Sequence, residues 1–208
     1  MEHDAYRRYA SIYDRLYEPV ARRLREAGLR LLSPRKNISI LDVCCGTGTQ
    51  LALYKIDGCR LVGIDLSPSM LDVARQKLGQ DAELRQEDAT HMSFPGGSFD
   101  LVTMVLSLHE MPSNLRPAVL RECMRVVASG GSIMLMDFHN GPYPFPRGWL
   151  WKSLLTIMEI SMGRAHFANY RDFLAHGALE GLIAEQGFAI QKRFVFESGV
   201  AAVYVVRR

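Results

Sequence analysis

The chain has 208 residues, of which 48% are hydrophobic and 23% are charged, and its formal net charge is +3. This length suits one domain with a sizeable core, and a small charge from scattered Lys and Arg argues against a nucleic-acid partner. No run of about eighteen apolar residues occurs, which excludes a membrane-spanning helix, and the polar start predicts no secretory signal. We therefore expect a cytoplasmic protein.

The four cysteines and six histidines give no pattern typical of a metal centre. The cysteines lack the paired spacing of a structural zinc site, and the adjacency of Cys44 and Cys45 disfavours a disulfide between them. Reduced thiols are therefore expected. No two histidines stand four positions apart, and we predict no metal.

The first two thirds of the chain predict a helical start followed by a parallel α/β sheet. Residues 2–32 are interpreted as one or two amphipathic helices that end at Ser33-Pro34. Seven arginines in this stretch mark either its solvent face or a contact for an anionic membrane surface. Strands and helices then alternate, which predicts parallel strands. The predicted elements are strand 38–43, a helix from Thr47, strand 60–64, a helix from Ser67, strand 83–86, strand 99–106, a helix from Asn114 to Gly130-Gly131, and strand 132–138.

The alternation breaks in the last third of the chain. Residues 139–148 are rich in Pro and Gly, and helices are predicted over 149–162 and 173–185. Two further strands, 189–196 and 200–206, are separated by only three residues. Because so short a connection cannot cross over the sheet, these strands are predicted to form an antiparallel hairpin.

The most informative motif is Ile-Leu-Asp-Val-Cys-Cys-Gly-Thr-Gly-Thr at positions 40–49, with Asp65 at the end of the next predicted strand. A glycine turn between strand and helix, followed by a carboxylate for the ribose hydroxyls, is typical of nucleoside binding by an α/β sheet. A dinucleotide is disfavoured because Leu51 replaces the third small residue of its fingerprint. Asp42 would repel a phosphate but suits a cation, which predicts a nucleoside with a cationic amino-acid tail, S-adenosylmethionine.

This stretch resembles motif I of the class I S-adenosylmethionine-dependent methyltransferases. Glu87-Asp88-Ala89 and residues 125–132 resemble further segments of that family, and the match covers about residues 38–138. Cys44 stands where the family has its first glycine, and this variant resembles the ubiquinone- and menaquinone-biosynthesis group. The Cβ of Cys44 speaks against an unusual backbone angle there. The resemblance implies methyltransferase activity and a Rossmann-like, mostly parallel seven-stranded sheet with a C-terminal antiparallel hairpin and helices on both faces.

The resemblance also implies how the single domain is organised and which residues bind the cofactor. We expect an N-terminal helical lid (1–34), a cofactor-binding core (38–138), an acceptor-side helical insertion (139–187) and the hairpin (188–208). Open α/β sheets bind ligands at the carboxyl ends of their strands. For any single acidic residue at these strand ends, the alternative to ligand binding is a role as a helix cap or as a surface charge. The expected contacts are Asp42, Cys44, Gly46, Thr47, Gly48, Val105 and Leu106 with the methionine part, Asp65 with the ribose, and Leu66, Met70, Asp88 and Ala89 with the adenine.

Three tyrosines near the start, Tyr6, Tyr9 and Tyr13, share one helical face. The segment around them resembles the cofactor lid of quinone and related small-molecule methyltransferases, in which Tyr13 is the candidate contact with the cofactor. The alternative is a tyrosine stripe that packs the helix on the sheet.

A candidate catalytic residue follows the fourth core strand. Methyl transfer from a sulfonium is an in-line displacement in which the enzyme aligns donor and acceptor and removes a proton where needed. His109, three residues after strand 99–106, is the candidate base because a histidine pKa near working pH suits a proton acceptor. A histidine that orients a loop is the alternative. His139 and His166 are secondary candidates, each with a structural role as the alternative.

The acceptor must meet residues outside the matched core, where 149–162 form a nearly all-apolar helix with one charge pair, Lys152 and Glu159. Three interpretations stay open: ordinary core, the wall of an apolar acceptor pocket, or contact with a membrane. The pocket favours a small apolar or lipid-like acceptor, such as a quinone precursor, bound by a monomer or a homodimer. Two other functions remain: an inactive cofactor-binding scaffold, and an NAD-dependent dehydrogenase, which Leu51 disfavours.

Overall fold

The structure, a computed structural model, describes residue 4 and residues 6–7, 10–56 and 58–207; the predicted lid residue Tyr9 lies outside them. The strands are β1 (Ser39–Val43), β2 (Arg60–Asp65), β3 (Ala82–Gln86), β4 (Phe99–Val105), β5 (Val127–Phe138), β6 (Ala189–Val195) and β7 (Ala201–Arg207). They form one sheet in the order β3-β2-β1-β4-β5-β7-β6. All pairs are parallel except those of β7 with β5 and β6. The predicted fold class, with its C-terminal antiparallel hairpin, is confirmed.

Helices cover both faces of this sheet. They are α1 (Ala10–Leu31), α2 (Thr49–Ala52), α3 (Pro68–Leu78), α4 (Arg116–Val126), α5 (Arg147–Ser161), α6 (Arg164–Ala175) and α7 (Ala178–Glu185), with a 3₁₀ turn at Leu108–Glu110. The start of α3 is as predicted: Pro68 is its first residue, and the Ser67 side chain accepts a hydrogen bond from Met70 N at 3.1 Å.

Three predicted helices are wrong in extent. The helix expected over 173–185 is divided, because Gly177 adopts a left-handed φ of 85° between α6 and α7. The helix expected to reach Gly130-Gly131 ends at Val126, where the chain turns directly into β5. The helix expected from Thr47 begins at Thr49 and has four residues.

The central strands are apolar on both faces because each face is covered. Ile40 and Leu41 are adjacent in β1 and fully buried, yet they belong to two different apolar clusters. Successive side chains of a strand point to opposite faces, so one cluster lies on each face of the sheet. Leu24 and Ala27 of α1 belong to the Ile40 cluster, which places the N-terminal helix against the sheet.

Two glycines allow the glycine turn to pack closely against its neighbours. A Cβ on Gly63 of β2 would lie 2.8 Å from Cys45 Sγ and 2.8 Å from Leu51 Cδ1. Gly48 has φ 73°, and a Cβ there would lie 2.7 Å from Leu78 Cδ1 on α3. Only glycine fits both positions without moving the neighbouring side chains.

Two non-glycine residues at the carboxyl edge of the sheet have left-handed backbone angles. Cys44 follows β1 with φ 56°, and Leu106 follows β4 with φ 50°. The expectation that the Cβ of Cys44 would prevent such an angle is therefore wrong. This conformation costs roughly 1–2 kcal/mol in a residue with a Cβ, so the surrounding structure holds strain at the edge where α/β sheets bind ligands.

Candidate active site

A cavity of about 310 Å³ lies at the carboxyl ends of β1, β2 and β4. Every residue predicted to bind the cofactor lines it except Gly48, whose role is the packing against α3 described above. Arg25, Glu110 and Tyr6 also line the cavity. The lining residues that were predicted are Tyr13, Asp42, Cys44, Gly46, Thr47, Asp65, Leu66, Met70, Asp88, Ala89, Val105 and Leu106.

The Asp65 carboxylate holds the glycine turn against the end of β2. Its Oδ2 accepts a hydrogen bond from Gly46 N at 2.8 Å, and its Oδ1 accepts one from Ser67 N at 2.8 Å. Burial raises the pKa of Asp65, while these backbone donors act in the opposite direction. The carboxylate therefore stands fixed at the cavity wall with further lone pairs available for a ligand.

Asp42 is a buried carboxyl group in the same wall, with 2% of its surface exposed. Its Oδ1 accepts a hydrogen bond from Thr103 Oγ1 at 2.6 Å. Burial raises the pKa of Asp42 to about 7, although Thr103 and the charge of Arg25 lower it. Because a bound cation would offset the cost of burying the charged form, this position favours a positively charged ligand group.

A cluster of polar side chains fastens α1 to the glycine turn. Thr47 Oγ1 donates a hydrogen bond to Asp14 Oδ1 at 2.5 Å, and Lys77 Nζ lies 2.5 Å from Asp14 Oδ2. Lys77 also donates to Thr49 Oγ1 at 2.5 Å. Sequence reasoning missed Asp14 and Lys77, because the two residues meet only when α1 lies over α3.

Arg25 is a further residue that the sequence alone did not reveal. The arginines of α1 were interpreted as a solvent face or a membrane contact, but the Arg25 side chain is 12% exposed and points inward. Its guanidinium donates to Glu18 Oε2 at 3.2 Å and to Gln50 Oε1 at 3.3 Å. It thus brings a positive charge into the wall of the cavity.

A larger cavity, of about 630 Å³, lies beside the first between α1, α5 and the end of the hairpin. Its wall is mostly apolar, with Phe138, Trp151, Leu155 and Met158 among the lining residues. The exposed Phe145 also lines it and marks a side that reaches the surface. The two cavities share five lining residues and so adjoin each other: Tyr13, Arg25, Val105, Leu106 and Glu110.

His109 lies in the larger cavity next to this shared wall and is 3% exposed. Its Nδ1 is 2.7 Å from Asp137 Oδ1, while Asp137 Oδ2 accepts hydrogen bonds from the backbone N–H groups of Leu108 and His109 at 3.0 and 3.3 Å. Because Nδ1 hydrogen-bonds to a carboxylate, Nδ1 carries a proton, and Nε2 is available to interact with other groups. Burial alone would lower the pKa of His109, but the nearby carboxylates raise it to about 9.

A second imidazole–carboxylate pair faces His109. His166 Nε2 is 2.5 Å from Glu159 Oε2, and the same oxygen is 3.6 Å from His109 Nε2. Glu110 Oε1 is 3.9 Å from His109 Nε2, and Tyr6 donates a hydrogen bond to the other oxygen of that carboxylate. Burial raises the pKa of Glu110. The polar end of the larger cavity is therefore a group of imidazoles and carboxylates.

The buried Arg116, 1% exposed, holds the two sides of this group together. Its Nε donates to Leu108 O at 3.0 Å, its Nη2 to Asn169 O at 2.7 Å, and its Nη1 to Asp172 Oδ2 at 2.7 Å. Asn169 Nδ2 in turn donates to Glu110 O at 2.6 Å. The 3₁₀ turn that carries His109 is thereby fixed to α6, which carries His166.

Sequence reasoning identified some of these groups as candidates and misinterpreted others. His166 was a secondary candidate, whereas Glu159 was interpreted as the partner of Lys152. Instead, Lys152 Nζ lies 4.2 Å from the centre of the Tyr143 ring, and Glu159 turns inward to His166. His139, the other secondary candidate, lines neither cavity, and its buried Nδ1 has no hydrogen-bond partner among the described residues.

The three residues His109, Glu159 and His166 also have the composition of a metal site, with one atom of each within 4.8 Å of the others. The prediction of no metal rested on sequence spacing, which cannot detect ligands from three separate elements. Two atoms bound to one zinc ion at 2.0–2.2 Å lie roughly 3 Å apart. The 2.5 Å separation of His166 and Glu159 is shorter than this and describes a hydrogen bond.

Within the part of the chain that the structure describes, no helix has the length and apolar character needed to cross a membrane. This agrees with the short length and charge pair of the predicted helix over 149–162.

Comparisons with known proteins place this site in a family. The sequence model of a methyltransferase domain matches residues 40–131. Demethylmenaquinone methyltransferase of Listeria welshimeri is 30% identical over 225 aligned positions, covering 97% of this chain and 93% of that protein. The Bacillus subtilis protein of the same name is 27% identical, covering 98% and 95%.

Solved structures agree with this fold. A SAM-dependent methyltransferase from Aquifex aeolicus superposes with a TM-score of 0.65 at 16% identity, covering 95% of this chain and 97% of that one. The PH0226 protein from Pyrococcus horikoshii gives 0.69 at 18% identity, with coverages of 92% and 90%. The chain is thus a class I S-adenosylmethionine-dependent methyltransferase. Within that class it belongs to the menaquinone-type group of methyltransferases.

The contact between His109 and Asp137 leads to a prediction about protonation. In an Asp137→Asn variant the pKa of His109 should fall from about 9 by roughly 1–3 pH units, because a neighbouring charge is lost while burial remains. NMR titration of labelled histidine measures this, with Asp72→Asn, an exposed residue of α3, as the control. An unchanged pKa of His109 in Asp137→Asn would contradict the conclusion that the Asp137 carboxylate raises this pKa.

The same contact has a consequence for stability. The folded pKa of His109 lies above its ordinary value of 6.5, so the folded state binds the proton more tightly than the unfolded state. The resulting contribution to the free energy of unfolding is fully present below pH 6.5 and is lost as pH rises through about 9. This pH-dependent contribution to the free energy of unfolding should be smaller in Asp137→Asn than in the wild-type protein.

Proposed function

We propose that the acceptor of this methyltransferase is a hydroquinone-like aromatic compound with an apolar side chain. The observation that carries the proposal is the apolar cavity of about 630 Å³, which adjoins the cofactor cavity and has its polar groups at that junction. Its volume lies within the range of about 300–1,000 Å³ of small-molecule sites. The demethylmenaquinone methyltransferases that this chain resembles support a quinone-derived acceptor.

We propose that S-adenosylmethionine occupies the smaller cavity with its adenine toward β2 and β3. Asp65 would accept the ribose hydroxyls, and Asp88 with Ala89 would meet the adenine amino group. Leu66 is 57% exposed at the cavity wall, and Met70 lies beside it in the same wall. An adenine ring there would cover this apolar surface.

The methionine part of the cofactor would then reach the shared wall of the two cavities. Asp42 would face its ammonium group through water, beside the turn of Gly46 and Thr47, and the Arg25 guanidinium would meet its carboxylate. Val105 and Leu106 would lie under the methionine chain, with Tyr13 of the α1 lid over it. This orientation directs the sulfonium methyl group toward the larger cavity, as in-line transfer requires.

The placement of Asp65 gives a test of the cofactor site. Two hydrogen bonds to a charged acceptor contribute about 1.5–3 kcal/mol each, so Asp65→Ala should weaken S-adenosylmethionine binding by roughly 10²-fold or more. Isothermal titration calorimetry measures the dissociation constant. Asp72→Ala on α3 is the control, because its carboxylate is exposed and pairs with Arg75. Equal affinity of the two variants would show that the ribose lies elsewhere.

We propose that the neutral form of His109 acts as the catalytic base on the acceptor hydroxyl. Because the pKa of His109 is about 9, this form predominates only above that pH, and the rate should rise with pH up to about 9. Its Nδ1 is held by Asp137, and its Nε2 lies 3.6 Å from Glu159 Oε2 and 3.9 Å from Glu110 Oε1, a residue of the wall shared with the proposed cofactor site. Removal of the hydroxyl proton converts a phenol into a phenolate, which is a much stronger nucleophile toward the sulfonium methyl carbon. The carboxylates around His109 stabilise the imidazolium that forms.

The acceptor proposal is tested by blocking the cavity from α5. Leu155→Trp fills the larger cavity, since Leu155 is 5% exposed and lines it, whereas Leu154→Trp on the outer side, at a residue 46% exposed, does not. With a prenylated naphthohydroquinone as acceptor, Leu155→Trp should lower kcat/KM at least tenfold with an unchanged dissociation constant for the cofactor. Leu154→Trp should behave as wild type. No turnover of this acceptor by wild-type enzyme, alongside turnover of a small charged phenol, would refute the proposal.

We further propose that the outer side of α5 contacts an anionic membrane surface, from which a lipid-like acceptor is taken. Phe145, Leu150 and Ile157 are 86%, 71% and 64% exposed. Residues 141–164 carry Arg147, Lys152 and Arg164 but only one acid, the inward-facing Glu159. An exposed apolar helix face flanked by cations without exposed acids suits anionic lipid.

Vesicle binding tests this contact. Wild-type protein should sediment with phosphatidylglycerol-containing vesicles more than with phosphatidylcholine vesicles, and a Leu150→Glu, Ile157→Glu variant should lose at least tenfold in affinity. Ile190→Glu, at an exposed position in β6, is the control. Equal binding of both variants would contradict the proposal. So would a homodimer, detected by light scattering, that the α5 substitutions dissociate.

A further inference from the structure

We propose that His109, Glu159 and His166 form a binding site for a divalent transition-metal ion of the zinc type, and that the bound ion inhibits methyl transfer. One ligand atom of each residue lies within 4.8 Å of the other two. The residues come from the 3₁₀ turn after β4, from α5 and from α6. The metal site stands on these residues alone, whereas the inhibition rests on the proposed role of His109 as the base.

The chemistry of the three ligands selects the class of ion. Two imidazoles and one carboxylate are a ligand set of zinc sites that keep a fourth position open. Imidazole suits zinc and its neighbours in the first transition row, whereas magnesium and calcium prefer oxygen ligands. His109, Glu159 and His166 all line the larger cavity. The fourth position of the ion would therefore be filled by water or by an oxygen of the acceptor.

His109 also has the outer partner that a metal-binding imidazole typically has. Its Nδ1 is 2.7 Å from Asp137 Oδ1, and the Asp137 carboxylate accepts backbone hydrogen bonds from Leu108 and Phe138. A histidine that binds a metal through one ring nitrogen usually donates the other N–H to such a carboxylate, which fixes the ring and strengthens the ligand. His109 Nε2 is thus held in place for an ion.

The charge of the group also favours a divalent cation. Glu110, Asp137 and Glu159 have side chains that are 24%, 1% and 10% exposed, and among the described residues their ion pairs are all with His109 or His166. Both imidazoles must be protonated to offset two of the three negative charges. One divalent ion bound by the neutral imidazoles offsets the same two charges. The ion can therefore replace two protons without changing the net charge of the group.

The distances require only small movements on binding. Glu159 Oε2 lies 3.6 Å from His109 Nε2 and 2.5 Å from His166 Nε2. Because two atoms bound to one zinc ion lie roughly 3 Å apart, each separation must change by about half an ångström. The ion takes the place of the proton shared by Glu159 and His166. His166 is the third residue of α6, and its side chain is 14% exposed.

Inhibition follows from the use of His109 Nε2 as a ligand. A lone pair that binds the ion cannot accept the hydroxyl proton of the acceptor, and the ion fills the polar end of the larger cavity. His109, Glu159 and His166 line the larger cavity but not the smaller one. The ion should therefore compete with the acceptor and leave the affinity for S-adenosylmethionine unchanged.

Zinc titration of the full-length protein tests the site without any acceptor. After dialysis against EDTA, calorimetry with Zn²⁺ should show one ion per chain, and Co²⁺ should give the visible absorption of a site with nitrogen ligands. His166→Gln and Glu159→Gln should each raise the dissociation constant at least tenfold, and either variant is sufficient if the other does not fold. Asp137→Asn should raise it by roughly 10–100-fold through the lost outer partner.

A surface histidine provides the matched control. His176, at the end of α6, has a 68% exposed side chain whose Nδ1 lies 3.4 Å from Asp172 Oδ1. His176→Gln should bind Zn²⁺ as wild type does, which would exclude adventitious binding by exposed histidines.

The inhibition is measured with a prenylated naphthohydroquinone as acceptor. One equivalent of Zn²⁺ should lower turnover by wild-type enzyme at least tenfold, in competition with the acceptor, and EDTA should restore it. His166→Gln and Glu159→Gln should need more Zn²⁺ for half-inhibition, in proportion to their raised dissociation constants. The dissociation constant of S-adenosylmethionine should be the same with and without Zn²⁺.

Two results would overturn the metal site: no stoichiometric binding of Zn²⁺ or Co²⁺ by wild-type protein, and equal affinity of wild type, His166→Gln and Glu159→Gln. Stoichiometric Zn²⁺ that leaves turnover unchanged or raises it would refute the inhibition. Failure of wild-type enzyme to methylate any hydroquinone would refute the proposed function and the inhibition with it, whereas the titrations decide the metal site by themselves.

Discussion

The buried carboxylate of Asp137, at the end of β5, fixes the geometry on which the active site depends. It accepts the Nδ1 hydrogen bond of His109 and backbone hydrogen bonds from Leu108, His109 and Phe138. These bonds hold the turn after β4 against the end of β5. That turn also contributes Glu110 to the wall shared by the two cavities. The Asp137 side chain therefore helps to position both His109 and part of this wall.

Strain at two strand ends accompanies this arrangement. Cys44 and Leu106 both have left-handed angles, and both line the smaller cavity. Left-handed angles at residues with a Cβ persist only where surrounding contacts impose them. Here the Asp65 hydrogen bond to Gly46 and the bond from Leu106 N to Met136 O, at 2.8 and 2.7 Å, hold the turns in place. The strained backbone therefore forms part of the wall of the smaller cavity.

The parts of the fold and site that the sequence predicted are local or follow a simple rule of order. Asp42 and Asp65 were recognisable because each stands at the carboxyl end of an apolar strand, and the hairpin followed from a three-residue connection. Asp137, Glu159 and Arg116 act across the sheet or between helices, so no spacing reveals them. Glu159 shows the limit most clearly. The sequence suggested a charge pair with Lys152, yet the fold turns Glu159 inward to His166. The division of the helix at Gly177 was missed because both halves carry the same apolar pattern.

The carboxylates around His109 have a further consequence for the charge balance of methyl transfer. S-adenosylmethionine brings a positive sulfonium into the site, and the reaction leaves a neutral thioether. Under the proposed reaction the positive charge reappears as an imidazolium on His109, within the same group of acids that includes Asp137, Glu159 and Glu110. The local net charge is therefore conserved from substrate to product complex. The acids keep a cation in the junction throughout, and little reorganisation of the surrounding dipoles is required when the cation moves from sulfur to nitrogen.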